Sequence, residues 1–389
     1  MATDGPLSGV RVLDLTNVLA GPYCCYQLAL FGAEVIKVER AGSGDLARQL
    51  GSDPDRNASG MGISFLAQNA GKQSVTLDLK LETDRARFIR LVKTADVLVE
   101  NFRPGVMDRL GLGYDVLRVD QPELIYCAIS GFGQDGPLRD APAYDQIVQG
   151  VSGVMSITGT AEGDPTRVGY PLADTFGGMT AAFAISAALN RRPRGCFLDV
   201  SMLDAMLSSM GWVVSNHLIG GTEPVRHGNE NTTSAPSGTF RTADDPINIA
   251  ANQDQQWETL ARLLGLADLM AEPAYRTRED RKRNRLALRD ELETVLAQRP
   301  AAHWVETLSA AGVPCGPVLN VPAALDQPQV RGRDLIASVE VAGGPVDVCA
   351  SPVLIDGRRP HPNSAPPVLG QDSDRLDALC ERGAEGGTQ

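Results

Sequence analysis

The strongest constraint on the fold is an alternation of strand and helix signals over the first third of the chain. "VRVLDL" (Val10–Leu15) and "EVIKVE" (Glu34–Glu39) are short β-rich apolar runs. Between them, "GPYCCYQLALFG" (Gly21–Gly32) has helical spacing and closes on a glycine, as helix ends often do. "SVTLDL" (Ser74–Leu79), "DVLVEN" (Asp96–Asn101) and "LIYCAIS" (Leu124–Ser130) repeat the strand signal. "TDRARFIRLVKTA" (Thr83–Ala95) supplies an amphipathic helix with Thr83 as its N-cap. Strands alternating with helices predict an α/β fold with a parallel, doubly wound sheet.

From Ser152 to about Ile219 the pattern is mostly helical, and Gly220–Gly238 is polar and turn-rich. "INIAAN" (Ile247–Asn252) reads as a strand, followed by amphipathic helices over Asp254–Gly265, Arg283–Gln298 and His303–Gly312. The expected organisation is a large domain over 1–219, a loop over 220–238 and a smaller α/β domain over 239–322. A segment over 323–389 then returns to the large domain.

The net charge of -12 repels phosphate backbones and argues against a nucleic-acid partner, although a local basic pocket for an anionic ligand is compatible with it. The seven cysteines form no CxxC pair and read as reduced thiols. His217, His227, His303 and His361 are scattered, so no metal site is expected. "MATDGPLSGV" lacks a basic n-region before an apolar core, and the apolar stretch Leu203–Leu218 is broken by Asp204, Ser208, Ser209, Ser215 and Asn216. A soluble cytoplasmic protein with no membrane partner is the expectation.

"GFGQDG" (Gly131–Gly136) matches GxGxxG, but Pro137 follows at once where a dinucleotide site needs a helix to open. It reads as a glycine turn after a strand. Neither GxSxG nor a P-loop is present. "PLADTFGGMTAAFAISAAL" (Pro171–Leu189) is more informative. Asp174 stands at the mouth of an apolar helix. One reading is an N-cap. The other is a carboxylate nucleophile beside free backbone amides, with Gly177 and Gly178 giving a bulky group clearance and an oxyanion donors. An ordinary aspartate, with pKa near 3.9, is already ionised at neutral pH and needs no histidine. Arg40, Lys72, Arg103 and Arg109 flank the predicted strands. They are either solvated surface cations or a polyphosphate cradle at the carboxyl ends of a parallel sheet.

Taken together, "GVRVLDLTNVLAGPYC", "LFGAEVIKVERAGSGD", "ADVLVENFRPGVMDRLGLGYD", "LADTFGGMTAAFAISAAL" and "FLDVSMLDAML" resemble the class III CoA-transferases, over nearly the whole chain. The resemblance implies a large Rossmann-like domain and a smaller one, in ring-like subunits interlocked as a homodimer. It implies that Asp174 forms an aspartyl anhydride and then an aspartyl-CoA thioester. CoA contacts fall on Val18, Leu19, Ala20, Arg40, Lys72, Asn101, Phe102, Arg103 and Arg109, with Asn17, Tyr144 and Asp145 near the substrate. Coenzyme A enters as the thioester substrate, with no tightly bound cofactor.

Where the formyl-CoA enzymes carry a histidine and a glutamine, this chain has Asn17 and Leu19, which counts against oxalate and formate as substrates. Arg226, His227, Asn229 and Asn231 form a polar loop that suggests a dicarboxylate, with succinyl-CoA as donor. A 2-methylacyl-CoA racemase is the alternative. There the chain places Tyr144 at the family's basic histidine, and a phenol with pKa near 10 is a poor base. Intramolecular transfer within a diacid such as mesaconate is indistinguishable at this level.

Overall fold

The computed structural model describes residues 5–381. Its central element is a six-stranded parallel sheet: β1 (Arg11–Asp14), β2 (Glu34–Glu39), β3 (Lys72–Thr76), β4 (Val97–Glu100), β5 (Ile125–Ser130) and β6 (Cys196–Ser201). The order β3-β2-β1-β4-β5-β6 is that of a Rossmann-like, doubly wound sheet, with the topological switch between β1 and β4. The central strands read as nearly continuous apolar runs because both faces are covered. Helices α1 (Ala20–Leu30), α2 (Glu82–Val92), α3 (Asp145–Val151) and α4 (Leu172–Ala188) belong to this unit, with α1 packed closely along α4.

Three local expectations need correction. The stretch expected to be mostly helical contains β6, a short edge strand whose apolar run is broken by Asp199. The strand expected over Ser74–Leu79 runs two residues earlier, and Leu77–Leu79 turn out of the sheet. Helix α2 begins at Glu82 behind Leu81, so Thr83 lies inside its first turn and is no cap.

The chain divides into two compact units, one of residues 1–154, 167–222 and 328–389, the other of 155–166 and 223–327. The larger unit also carries α5 (Gly211–Gly220). In the smaller unit, β7 (Ser237–Phe240), β8 (Ile247–Ala250) and β9 (Cys315–Pro317) form an antiparallel sheet. Helices Asp254–Leu263, Arg285–Leu296 and Ala301–Ala310 bury Trp257, Leu288, Trp304 and Leu308 in that unit's own core. A hairpin of β10 (Ile336–Val341) and β11 (Gly344–Cys349) belongs to the larger unit.

Candidate active site

A cleft of about 350 Å³ opens at the carboxyl ends of β1 to β4, across the switch point where ligands of such sheets gather. Four loops contribute to it: Asn17 after β1, Arg40 after β2, Lys80 after β3, and Phe102 and Arg109 after β4. Val38, Leu77, Leu79, Val106 and Leu110 make its walls apolar. Arg40, Lys80 and Arg109 are exposed, and none has a carboxylate partner among the described residues. Unpaired cations around an apolar slot suit a heterocycle joined to phosphates. Lys80 follows the strand expected over Ser74–Leu79 with no signal of its own, and the early end of β3 brings it to the cleft.

Lys72, expected beside these cations, points the other way. Its ammonium is fully buried, 2.8 Å from Asp14 Oδ2, and donates to the carbonyl of Pro22. It belongs to a buried charge network that underlies the β1–α1 loop. Lys37 joins Asp14 to Asp45, and Glu39 pairs with Arg48. Burial alone would raise the Asp14 carboxyl, but Lys37 and Lys72 outweigh it and hold the group down at about 2. A lysine so engaged is a structural ion-pair partner and, contrary to expectation, has no ammonium free for a phosphate.

The same network shapes the loop above it. Val18 sits at φ 67, an unusual backbone for a β-branched residue. Its amide donates to Asp45 Oδ1 at 2.9 Å. The side-chain amide of Asn101 clasps Asn17, accepting its N–H at 2.8 Å and donating to its carbonyl at 2.9 Å. Asn101 therefore acts by fixing Asn17 at the cleft wall. Leu19 precedes the first turn of α1, and Ala20 opens it. Arg103 is exposed on the β4 loop but does not line the cleft.

Asp174 lies at the third position of α4, not at its cap, because the helix starts at Leu172 behind Pro171. The cap comes from another segment. Asp145, buried at the start of α3, accepts the amides of Ala173 at 2.8 Å and Asp174 at 3.4 Å through Oδ1. Gln149 steadies it by donating to Oδ2 at 2.8 Å. The Asp174 carboxylate itself has no hydrogen bond or ion pair among the described residues. Burial first, and the nearby Asp145 charge second, push its pKa up to about 7. This corrects the expectation of an ordinary, fully ionised aspartate. The positive end of the α4 dipole opposes the shift without cancelling it.

The glycine pair also has a different role from the one expected. A Cβ on Gly178 would lie 2.3 Å from the Ala20 carbonyl oxygen, and one on Gly177 would lie 2.8 Å from Met202 Cγ. Both residues are buried within α4, past the amides that a helix start leaves open. They give clearance to α1 and Met202, and no ligand is needed to explain them. Residues four apart share a helix face, so Asp174 stands one turn before Gly178 on the side that meets α1. Tyr144 precedes α3 and is 71% exposed.

Residues 7–373 match the family model described as "CoA-transferase family III". This chain belongs to that family. It is 41% identical to the acetyl-CoA:oxalate CoA-transferase of Acetobacter aceti, covering 96% of this chain and 95% of the relative. It is 38% identical to the succinyl-CoA:mesaconate CoA-transferase of Haloarcula hispanica, over 99% and 98% of the two. The crystal structure of a CAIB/BAIF family protein from Brucella suis superposes with a TM-score of 0.84 at 33% identity, covering 97% of this chain and all of that one.

As a class III CoA-transferase, the protein is an enzyme acting on CoA thioesters, which agrees with the anion-seeking cleft. The polar loop expected near the acyl group is otherwise engaged. Arg226 donates to the carbonyls of Thr160 and Ser156, and Asn231 binds Ser237 and Thr233. Among the described residues no helix is long and apolar enough to cross a membrane, and no cluster of His, Cys, Asp or Glu is placed to hold a metal ion.

Proposed function

We propose that this enzyme moves CoA from an acyl-CoA donor, succinyl-CoA among them, to a small mono- or dicarboxylic acid, with Asp174 as nucleophile. The supporting observation is Asp174 itself, an unpaired, half-buried carboxyl on the helix face that meets α1. Its raised pKa reports poor solvation of the anion, which makes the ionised form a reactive nucleophile.

In the first step an Asp174 oxygen attacks the thioester carbonyl and expels CoA thiolate, leaving a mixed anhydride. The thiolate then attacks the aspartyl carbonyl, releasing the donor acid and forming an aspartyl-CoA thioester. The acceptor carboxylate attacks that thioester, giving a second anhydride and free thiolate. Attack of the thiolate on the acceptor carbonyl yields the new acyl-CoA and regenerates Asp174. No net proton is consumed.

The nucleotide of CoA lies in the cleft, its phosphates met by Arg40, Lys80 and Arg109 and its base by the apolar wall with Phe102. Val18, Leu19 and Ala20 lead the thiol arm from the cleft toward α4. The relatives, an acetyl-CoA:oxalate and a succinyl-CoA:mesaconate CoA-transferase, favour a short diacid as acceptor, oxalate included.

A homodimer completes the proposal. Helix α5 buries none of its residues in the single chain, and exposes Trp212 at 78% and Ile219 at 87%. An apolar surface of that kind favours burial against a second copy. Light scattering of the purified protein tests it, a monomer being the contrary result.

Mass spectrometry after incubation with succinyl-CoA alone, followed by hydroxylamine, tests the mechanism. A hydroxamate on Asp174 is expected. An unmodified Asp174 in a fully active preparation would exclude the anhydride route.

A further inference from the structure

Arg139 lies outside the walls of the nucleotide cleft, yet its side chain converges on Arg109. Both guanidinium groups reach toward the bare face of Gly105. The position a Cβ would take there is 3.2 Å from Arg109 Nη1 and 3.8 Å from Arg139 Nη2. Gly105 has φ 76, a backbone that favours glycine, and a side chain there would crowd the Arg109 guanidinium.

We propose that Arg109 and Arg139 form a two-guanidinium phosphate clamp over Gly105, at the rim of the cleft, and that Arg139 binds a phosphate of the CoA nucleotide. This rests on the reading of the cleft as the CoA site.

Two like charges brought to one small opening repel each other unless an anion sits between them. The surrounding acids do not supply that anion. Asp108, on the same turn as Arg109, has its Oδ1 2.0 Å from where a Gly113 Cβ would be, so its carboxylate faces that glycine. Asp140 is 3.8 Å from Arg139 Nε with its side chain 88% exposed, a pair weakened by solvent. Glu100, at the end of β4, is pushed up to about 8 by burial and by Asp108 and Asp199, and so carries little charge at neutral pH. Forked guanidinium donors suit the oxygens of a phosphate, and the missing side chain at position 105 leaves room for them.

Calorimetric titration with CoA and with 3′-dephospho-CoA tests the clamp, using wild type, Arg139→Ala, Arg139→Lys and Arg109→Ala at low and high salt. Arg139→Ala should weaken CoA binding about tenfold at low salt, and less at high salt, where exposed charges are screened. Arg139→Lys should recover only part, since an ammonium lacks the fork. A loss seen with CoA but not with dephospho-CoA assigns the clamp to the 3′-phosphate, and an equal loss with both assigns it to the diphosphate. If Arg139→Ala binds both ligands like wild type while Arg109→Ala does not, the clamp is wrong and the cleft reading stands. If Arg109→Ala also binds like wild type, the cleft reading fails and the clamp with it.

Discussion

Asp145 caps the helix that carries Asp174, its Oδ1 accepting the Asp174 amide at 3.4 Å and the Ala173 amide at 2.8 Å. One carboxylate thus orders the backbone under the other and, by its charge, raises the other's pKa. Asp145 thus orders the backbone of the proposed nucleophile and adds to a pKa shift that burial dominates.

Asp145→Asn should separate the two effects. The amide oxygen can still accept, but the charge is gone, so the Asp174 pKa should fall from about 7 toward the ordinary carboxylate range. In wild type, kcat/KM should drop as pH falls through about 7, and in the variant this limb should move to lower pH. An unmoved limb would assign it to another group. Asp145→Ala should also lose the cap, worth about 1 kcal/mol in a thermal melt.

Asp174→Asn should reduce activity by at least about 10³-fold without unfolding the protein. The sign of its stability effect follows from the raised pKa. The folded state holds the Asp174 proton more tightly than the unfolded chain. The resulting stability is complete below about 4, the unfolded value, and is lost as pH rises through about 7. Wild type should therefore lose stability relative to Asp174→Asn across that window in parallel melts.

Gly178→Ala should be destabilising even though alanine is the better helix former, by roughly 1 kcal/mol. The new methyl would meet the Ala20 carbonyl at 2.3 Å, and backbone cannot rotate away. Overpacking of this kind costs about 1–3 kcal/mol, so the net effect is loss. Gly177→Ala meets Met202 Cγ at 2.8 Å, a side-chain atom that can shift where a backbone carbonyl cannot, and should be milder. Urea denaturation of the two variants checks the order.

Lys72→Ala and Lys80→Ala should fail in different ways. Removing Lys72 strips a buried partner from Asp14 and should cost about 3–5 kcal/mol, with little dependence on salt. Lys80→Ala should leave the melt unchanged and weaken CoA binding most at low salt. Because the Asp14 pKa is held at about 2, its contribution to stability is present above about 4 and fades as pH falls through about 2.

The alternation of "VRVLDL", "EVIKVE", "DVLVEN" and "LIYCAIS" with helical segments was enough to determine a parallel sheet, since two-face burial demands such apolar runs. An aspartate at the mouth of an apolar helix marked Asp174 as a candidate, while the glycine pair behind it answers to packing. What lay beyond the sequence depended on partners distant along the chain. Whether a lysine meets solvent or a buried carboxylate is set by the fold, which turned Lys72 inward to Asp14 and left Lys80 at the cleft. The purpose of Gly178 appears only when α1 is laid against α4, and the pKa of Asp174 only when burial and Asp145 are brought to it. Local pattern follows from side-chain chemistry within a few residues, whereas solvation and charge at a site depend on what the tertiary structure packs around it.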